Sequence, residues 1–136
     1  HDLDPALDAE LAHFGLHDAD RPFESFSQGE LRRAALARLF LAGPELLLLD
    51  EPTNQLDVFT IDALEDRLIE ERRPFVLVTH DRYFLDRVVT EIAELDRGSL
   101  HVYAGSYADY LAARADRLAT EDRQNSARDS DLACTA

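Results

Sequence analysis

Two carboxylates stand side by side at the end of an apolar run. Leu46-Leu47-Leu48-Leu49 leads directly into Asp50-Glu51-Pro52. A short continuous apolar run bounded by turn residues predicts a strand buried on both faces. In open α/β sheets ligands bind beyond the carboxyl ends of the strands, which is where these two acids fall. Asp50 there could hold Mg²⁺, directly or through water, and the magnesium would screen nucleotide phosphates. Glu51 could orient or deprotonate an attacking water. Pro52 disfavours a helical conformation at Glu51, so Glu51 is expected to be extended. A buried strand running into an acidic turn with no chemistry uses the same residues.

A second short apolar run, Phe75 to Val78, ends in Thr79-His80-Asp81. It lies one strand–helix–strand unit after the first. Neighbouring parallel strands would present Asp50, Glu51 and His80 along one sheet edge, converging on a phosphate-sized site. Taken alone, a strand-end His is more often structural. A third candidate is Phe26-Ser27-Gln28-Gly29-Glu30, just ahead of a strong helical pattern. Ser27-x-x-Glu30 is a capping box. The same helix start, with a hydroxyl and a glycine admitting close approach, also suits an anion.

Elements must hold these residues. Asp4-Pro5 caps a helix carrying Leu7, Leu11 and Phe14, with Gly15 as its stop. A helix over 27–41 carries the stripe Leu31, Ala35, Leu39, Ala42 and ends at Gly43-Pro44. After the first strand, a helix over 58–71 carries Ile61, Leu64 and Leu68, and Pro74 precedes the second strand. Asp81 caps a short helix through Val88. Arg97-Gly98-Ser99 joins a hairpin, and Ser106 opens a last helix to about Ala119. The stretch 121–136 is polar, lacks an apolar period and is expected to be disordered. Strand–helix–strand order implies α/β architecture, with parallel strands, helices on both faces, and a terminal hairpin and helix. Two such strands make a thin core, as in half of a domain.

Composition sets limits. The 136 residues are 46% hydrophobic and 31% charged, which is globular rather than disordered. Every basic residue is Arg. Without Lys, and with five widely spaced glycines, the chain holds no GxxxxGK[ST] phosphate loop. The net charge of -14 is the wrong sign for gripping a nucleic-acid backbone over most of the surface. Cys134 is the single cysteine, so no internal disulfide or multi-cysteine zinc site exists. No apolar run reaches the ~18–20 residues that span a bilayer. The absence of Met and the start at His1 read as a piece of a longer chain.

Together these segments resemble the ATP-binding cassette (ABC) ATPases, over about residues 23–104. FSQGE is similar to the LSGGQ signature, LLLLDEP to Walker B, Asn54-Gln55-Leu56-Asp57 to the D-loop, and VTHD to the H-switch. DEPTNQLD and His80-Asp81-Arg82-Tyr83-Phe84-Leu85-Asp86 resemble the ABC-F branch, as does Gly105-Ser106-Tyr107-Ala108-Asp109-Tyr110-Leu111. Gln28, Glu30 and Gln55 depart from the usual Gly, Gln and His.

The resemblance implies the carboxyl-side half of a nucleotide-binding domain over 1–104, then a helix or linker start over 105–120. Walker A, the adenine-stacking aromatic and the Q-loop would precede residue 1. It implies ATP and Mg²⁺ as ligands, with Asp50 on the metal and Glu51 and His80 catalytic. Ser27, Gln28, Gly29 and Glu30 would face nucleotide held by a second cassette, and Asp57 would cross between the cassettes. It implies a cytoplasmic, ribosome-associated protein, either a translation factor or an antibiotic-resistance factor. The competing expectations are a transporter's ATP-binding subunit, a non-catalytic remnant and, more remotely, a chromosome-organising ATPase.

Overall fold

The computed structural model describes residues 4–135, which divide into two compact units on either side of the Val88–Val89 bond. The first unit contains α1 (Pro5–His13), a 3-10 turn (Phe23–Ser25), α2 (Gln28–Leu41), β1 (Leu47–Asp50), α3 (Val58–Ile69), β2 (Phe75–Val78) and α4 (Arg82–Val88). The second contains β3 (Glu91–Asp96), β4 (Ser99–Ala104) and α5 (Tyr107–Cys134). The architecture is α/β, with a parallel strand pair among helices.

Each helix of the first unit begins where a side chain can satisfy a free backbone N–H. Asp4 caps α1 with Pro5 in the first turn, Ser27 caps α2, and Asp57 accepts from Thr60 N–H at 2.9 Å to cap α3. Gly15 ends the first helical segment at a φ of 77°, in the left-handed region where a side chain is strained. β1 and β2 are parallel and in register, Leu47 opposite Phe75 and Asp50 opposite Val78.

The core of this unit gathers Leu11, Phe14, Phe40, Leu47, Leu64, Leu68 and Phe84, all buried. Burying each such side chain contributes roughly 1.5–3 kcal/mol. Phe14 stacks on Phe40 with ring centroids 6.0 Å apart, joining α1 to α2. An ionic frame adds direction. Arg73 grips Glu71 with two bonds of 2.9 and 2.7 Å and donates to the Phe40 carbonyl at 3.1 Å. Arg67 donates to Glu10 at 2.8 Å and lies 4.5 Å over the Phe40 ring. The loop before β2 thereby fixes the end of α2, and α3 is clipped to α1.

Two expectations about the core are corrected. The strands are not buried on both faces. Leu47 and Leu49 are buried, but Leu48 is 68% exposed, and Val76 and Val78 on the same face of β2 are more than half exposed. The stripe Leu31, Ala35, Leu39, Ala42 is not the packed face of α2 either. Ala37 and Phe40 are buried, while Ala35 and Ala42 are exposed. The helix is apolar on more than one side, so periodicity could not choose the side facing α1. Ala35, Leu36 and Leu39 instead line an open groove of about 380 Å³ with Leu48.

In the second unit β3 and β4 are antiparallel, with Asp96 opposite Ser99. Arg97 and Gly98 both have positive φ, 48° and 80°, as a two-residue hairpin turn following strand twist requires. α5 packs against β4. Arg117 donates to the Tyr103 hydroxyl at 2.8 Å and to Glu94 at 3.2 Å, and Arg114 donates to Glu94 at 2.7 Å. The opposite face of the hairpin, with Leu95, Leu100 and Val102, is exposed.

The stretch expected to be disordered from residue 121 is helical through Cys134. The cause is local. Ser106 and Asp109 form a full capping box, and Arg117 reaches Glu121 at 3.0 Å one turn on. No residue of α5 is buried, so an apolar period had nothing to report.

Candidate functional site

The ends of β1 and β2 bring Asp50, Glu51 and His80 together. Parallel pairing continues one step past the strands, with Glu51 N–H donating to the Val78 carbonyl at 2.7 Å. That bond sets Glu51 beside the turn carrying His80. The ring Nδ1 of His80 donates to Glu51 Oε1, and its backbone N–H donates to Glu51 Oε2 at 3.4 Å. Burial pushes the Glu51 carboxyl up, but hydrogen bonds from the His80 ring and backbone outweigh it, leaving Glu51 below the usual carboxylate range. Glu51 is therefore ionised at neutral pH. The His80 side chain is 97% exposed, so its ring edge away from Glu51 is open to a ligand.

Glu51 is not extended as expected. Its φ is +46°, in the left-handed region. The Val78 and His80 contacts hold it there, at a conformational cost of order 1–3 kcal/mol for a non-glycine residue. Gln55, four residues on, has a φ of 60°. The loop between them closes with Asn54 N–H on the Glu51 carbonyl at 3.1 Å and Leu56 N–H on the Thr53 carbonyl at 3.2 Å. Arg32 of α2 donates to the Asn54 carbonyl at 2.9 Å. The sequence offered no signal for Arg32, because its partner is a main-chain oxygen 22 residues away.

Asp50 is exposed at the strand end. Among the described residues no three His, Cys, Asp or Glu side chains gather into a metal cage. One open carboxylate beside a second fits magnesium that arrives with phosphate oxygens and water, since Mg²⁺ is usually held by one or two carboxylates plus substrate phosphates.

Ser27, Gln28, Gly29 and Glu30 form a separate cluster at the amino end of α2. Glu30 N–H donates to Ser27 Oγ at 3.2 Å, and Ser27 N–H donates to Glu30 Oε2 at 2.8 Å. Arg21 also donates to Glu30 and stacks 4.4 Å over Phe26. Hydrogen bonds from the Ser27 backbone and hydroxyl, with Arg21 assisting, hold Glu30 below its ordinary value. Ser27 and Gln28 are exposed. Arg21 was missed because nothing in its spacing marks it as the partner of Glu30. Asp57 is also exposed, and hydrogen bonds from Thr60 keep it ionised.

The chain is similar to known proteins in sequence and fold. The profile of the ABC transporter family matches residues 4–54. The chain is 46% identical over 124 residues to the energy-dependent translational throttle protein EttA of Mycobacterium tuberculosis, covering 91% of this chain and 22% of that protein. It is 42% identical over 131 residues to the ATP-binding protein Uup of Escherichia coli, covering 96% of this chain and 20% of that one. The chain thus spans about a fifth of the length of these two relatives. Among solved structures, a complex of archaeal ribosomal stalk protein aP1 with ribosome recycling factor aABCE1 aligns with a TM-score of 0.61 at 26% identity, covering 83% of this chain and 24% of that one. The RNase-L Inhibitor aligns at 0.57 and 28% identity, covering 73% and 21%. Strand-end acids facing a strand-end histidine, a capped signature-like helix and these relatives lead to one conclusion: the chain belongs to the ATP-binding cassette ATPases, in their ABC-F branch.

Proposed function

We propose that this chain is the carboxyl-side half, over residues 1–104, of an ATP-hydrolysing cassette that works with a second cassette on the ribosome. The observation that carries the hydrolytic reading is the bond between Glu51 and His80 beside open Asp50. Glu51, ionised, accepts a hydrogen bond from the attacking water and turns the water's lone pair toward the γ-phosphorus. A phosphorus–oxygen bond forms to that water, whose proton passes to Glu51, as the bond to ADP breaks and its electron pair leaves with ADP. His80 orients Glu51 through Nδ1 and offers its exposed ring edge to the γ-phosphate. Asp50 contributes a carboxylate to Mg²⁺, which when bound neutralises phosphate charge.

Ser27 and Gly29 face the γ-phosphate of a nucleotide held mainly by the other cassette, with Gln28 and Glu30 completing that helix start. Glu30 serves by closing the cap rather than by donating to phosphate, since its carboxylate accepts from Ser27 and Arg21. Asp57 reports across the cassette interface. The ribosome is favoured as partner by the names of the relatives, a translational throttle protein and a ribosome recycling factor. Those names favour translation control over antibiotic protection. A cytoplasmic protein fits that partner, and no described helix is long and apolar enough to cross a membrane.

The test is sedimentation of the full-length Glu51→Gln protein with ribosomes. ATP should drive it into the ribosome pellet and ADP should not. Equal pelleting with either nucleotide contradicts the ribosomal reading.

A further inference from the structure

We propose that Arg32 is a positioning residue that pins the Glu51–Leu56 loop to α2 and so fixes how Glu51 is presented, an assignment that rests on the hydrolytic reading above. Arg32 lies in the second turn of α2, just past the Ser27 cap, and its Nη1 donates to the Asn54 carbonyl at 2.9 Å. Asn54 is the pivot of the loop. Its N–H is bonded to the Glu51 carbonyl and its carbonyl to Arg32, so a shift of the guanidinium passes directly to Glu51. The loop needs such an anchor because Glu51 and Gln55 both sit at positive φ without being glycine. Conformations of that kind persist where surrounding contacts over-determine them.

The bond also joins two clusters that otherwise share no hydrogen bond among the described residues. Ser27 to Glu30 open the helix that carries Arg32, and the loop Arg32 holds runs from Glu51 toward Asp57. A ligand that draws the start of α2 outward would pull on Asn54. One that settles the helix would hold the loop, and with it Glu51, in place. Arg32 touches neither water nor phosphate in this account and acts through the loop. A lysine at the same position can still donate to a carbonyl, whereas alanine cannot.

The test compares Arg32→Ala and Arg32→Lys in the full-length protein. Amide exchange over residues 51–57 should quicken about fivefold to tenfold in the alanine variant, as loss of one local hydrogen bond implies. It should return toward wild type in the lysine variant, with exchange over α4 unchanged in both. The alanine variant should lose kcat for ATP hydrolysis with KM kept within about twofold, the pattern for an interaction that matters only in the transition state. Unchanged exchange over 51–57, or failure of lysine to restore it, overturns the assignment. So does an unchanged kcat in an enzyme that Glu51→Gln inactivates. If Glu51→Gln leaves hydrolysis intact, the hydrolytic reading falls, and the exchange comparison still decides whether Arg32 holds the loop.

Discussion

Glu51 and His80 are separated in the chain by α3 and β2, yet His80 clasps both carboxylate oxygens of Glu51, one through its ring and one through its backbone N–H. The parallel register of β1 and β2 makes this possible, since it leaves both residues just past the strand ends. The clasp sets the direction of the carboxylate and keeps it ionised.

The first prediction concerns pH. Burial alone raises the Glu51 carboxyl, and the His80 hydrogen bonds bring it below its ordinary value. His80→Ala removes the ring contact and leaves the backbone N–H to oppose the burial. The acid limb of the kcat profile of the full-length protein should therefore move to higher pH. An acid limb that stays in place after this substitution would detach His80 from Glu51.

Two buried carboxylates should respond to acid in opposite ways. The Arg73 side chain, aided by its backbone N–H and by Arg67, holds Glu71 down at about 2 against burial, from an ordinary 4.5. A depressed folded-state pKa gives stability that is present above 4.5 and lost as pH falls toward 2. Glu71→Gln should cost about 2 kcal/mol at neutral pH, with the difference from wild type shrinking in acid. Glu65 is the reverse case. Burial pushes it up despite Arg87, and one of its oxygens contacts Arg87 at 2.6 Å without hydrogen-bond alignment. Its penalty is absent in acid and grows as pH rises through its raised pKa, so Glu65→Gln should be neutral or stabilising at pH 7. Denaturant unfolding of the two variants at neutral and acid pH checks both signs.

Much of this was legible in the sequence because the signals were local. The capping box at Ser27, the cap at Asp81 and the helix start at Ser106 each depend on residues within one turn. The Asp50, Glu51, His80 convergence was legible too, since two short apolar runs flanking a helix leave few topologies. What stayed hidden depended on distance or on missing neighbours. The Arg73 and Arg67 frame joins residues more than thirty positions apart, to Phe40 and to Glu10. The packed side of α2 was hidden because the helix is apolar on two sides, and distant partners of Phe40, Phe14 among them, choose between them. The left-handed Glu51 was hidden because Pro52 argues against a helical conformation without indicating which alternative the Val78 and His80 contacts impose.

Gly105 should tolerate no side chain. It sits at a φ of 106°, and a Cβ there would lie 2.5 Å from Asp109 Oδ2. That oxygen accepts from Ser106 N–H at 2.8 Å and closes the capping box of α5. Gly105→Ala must break the cap or bend the chain, and should cost about 1–2 kcal/mol, read as faster amide exchange in the first turn of α5.

The distal half of α5 should be dispensable for the hairpin. The contacts that fasten α5 to β3 and β4 use Arg114 and Arg117, and Arg117 is supported by Glu121. Removing residues beyond Asp122 keeps all of them. Exchange over β3 and β4 should change by less than the equivalent of ~0.5 kcal/mol. A larger loosening would show that the distal helix braces the hairpin.

The central claim is that Glu51 drives hydrolysis, and steady-state phosphate release by the full-length protein tests it most directly. Glu51→Gln keeps the size and removes the charge. It should lower kcat by roughly 10²-fold or more, as loss of a water-activating group does, while ATP binding persists. Phosphate release within a few-fold of wild type in that variant would contradict the account and leave the Glu51–His80 bond a structural contact.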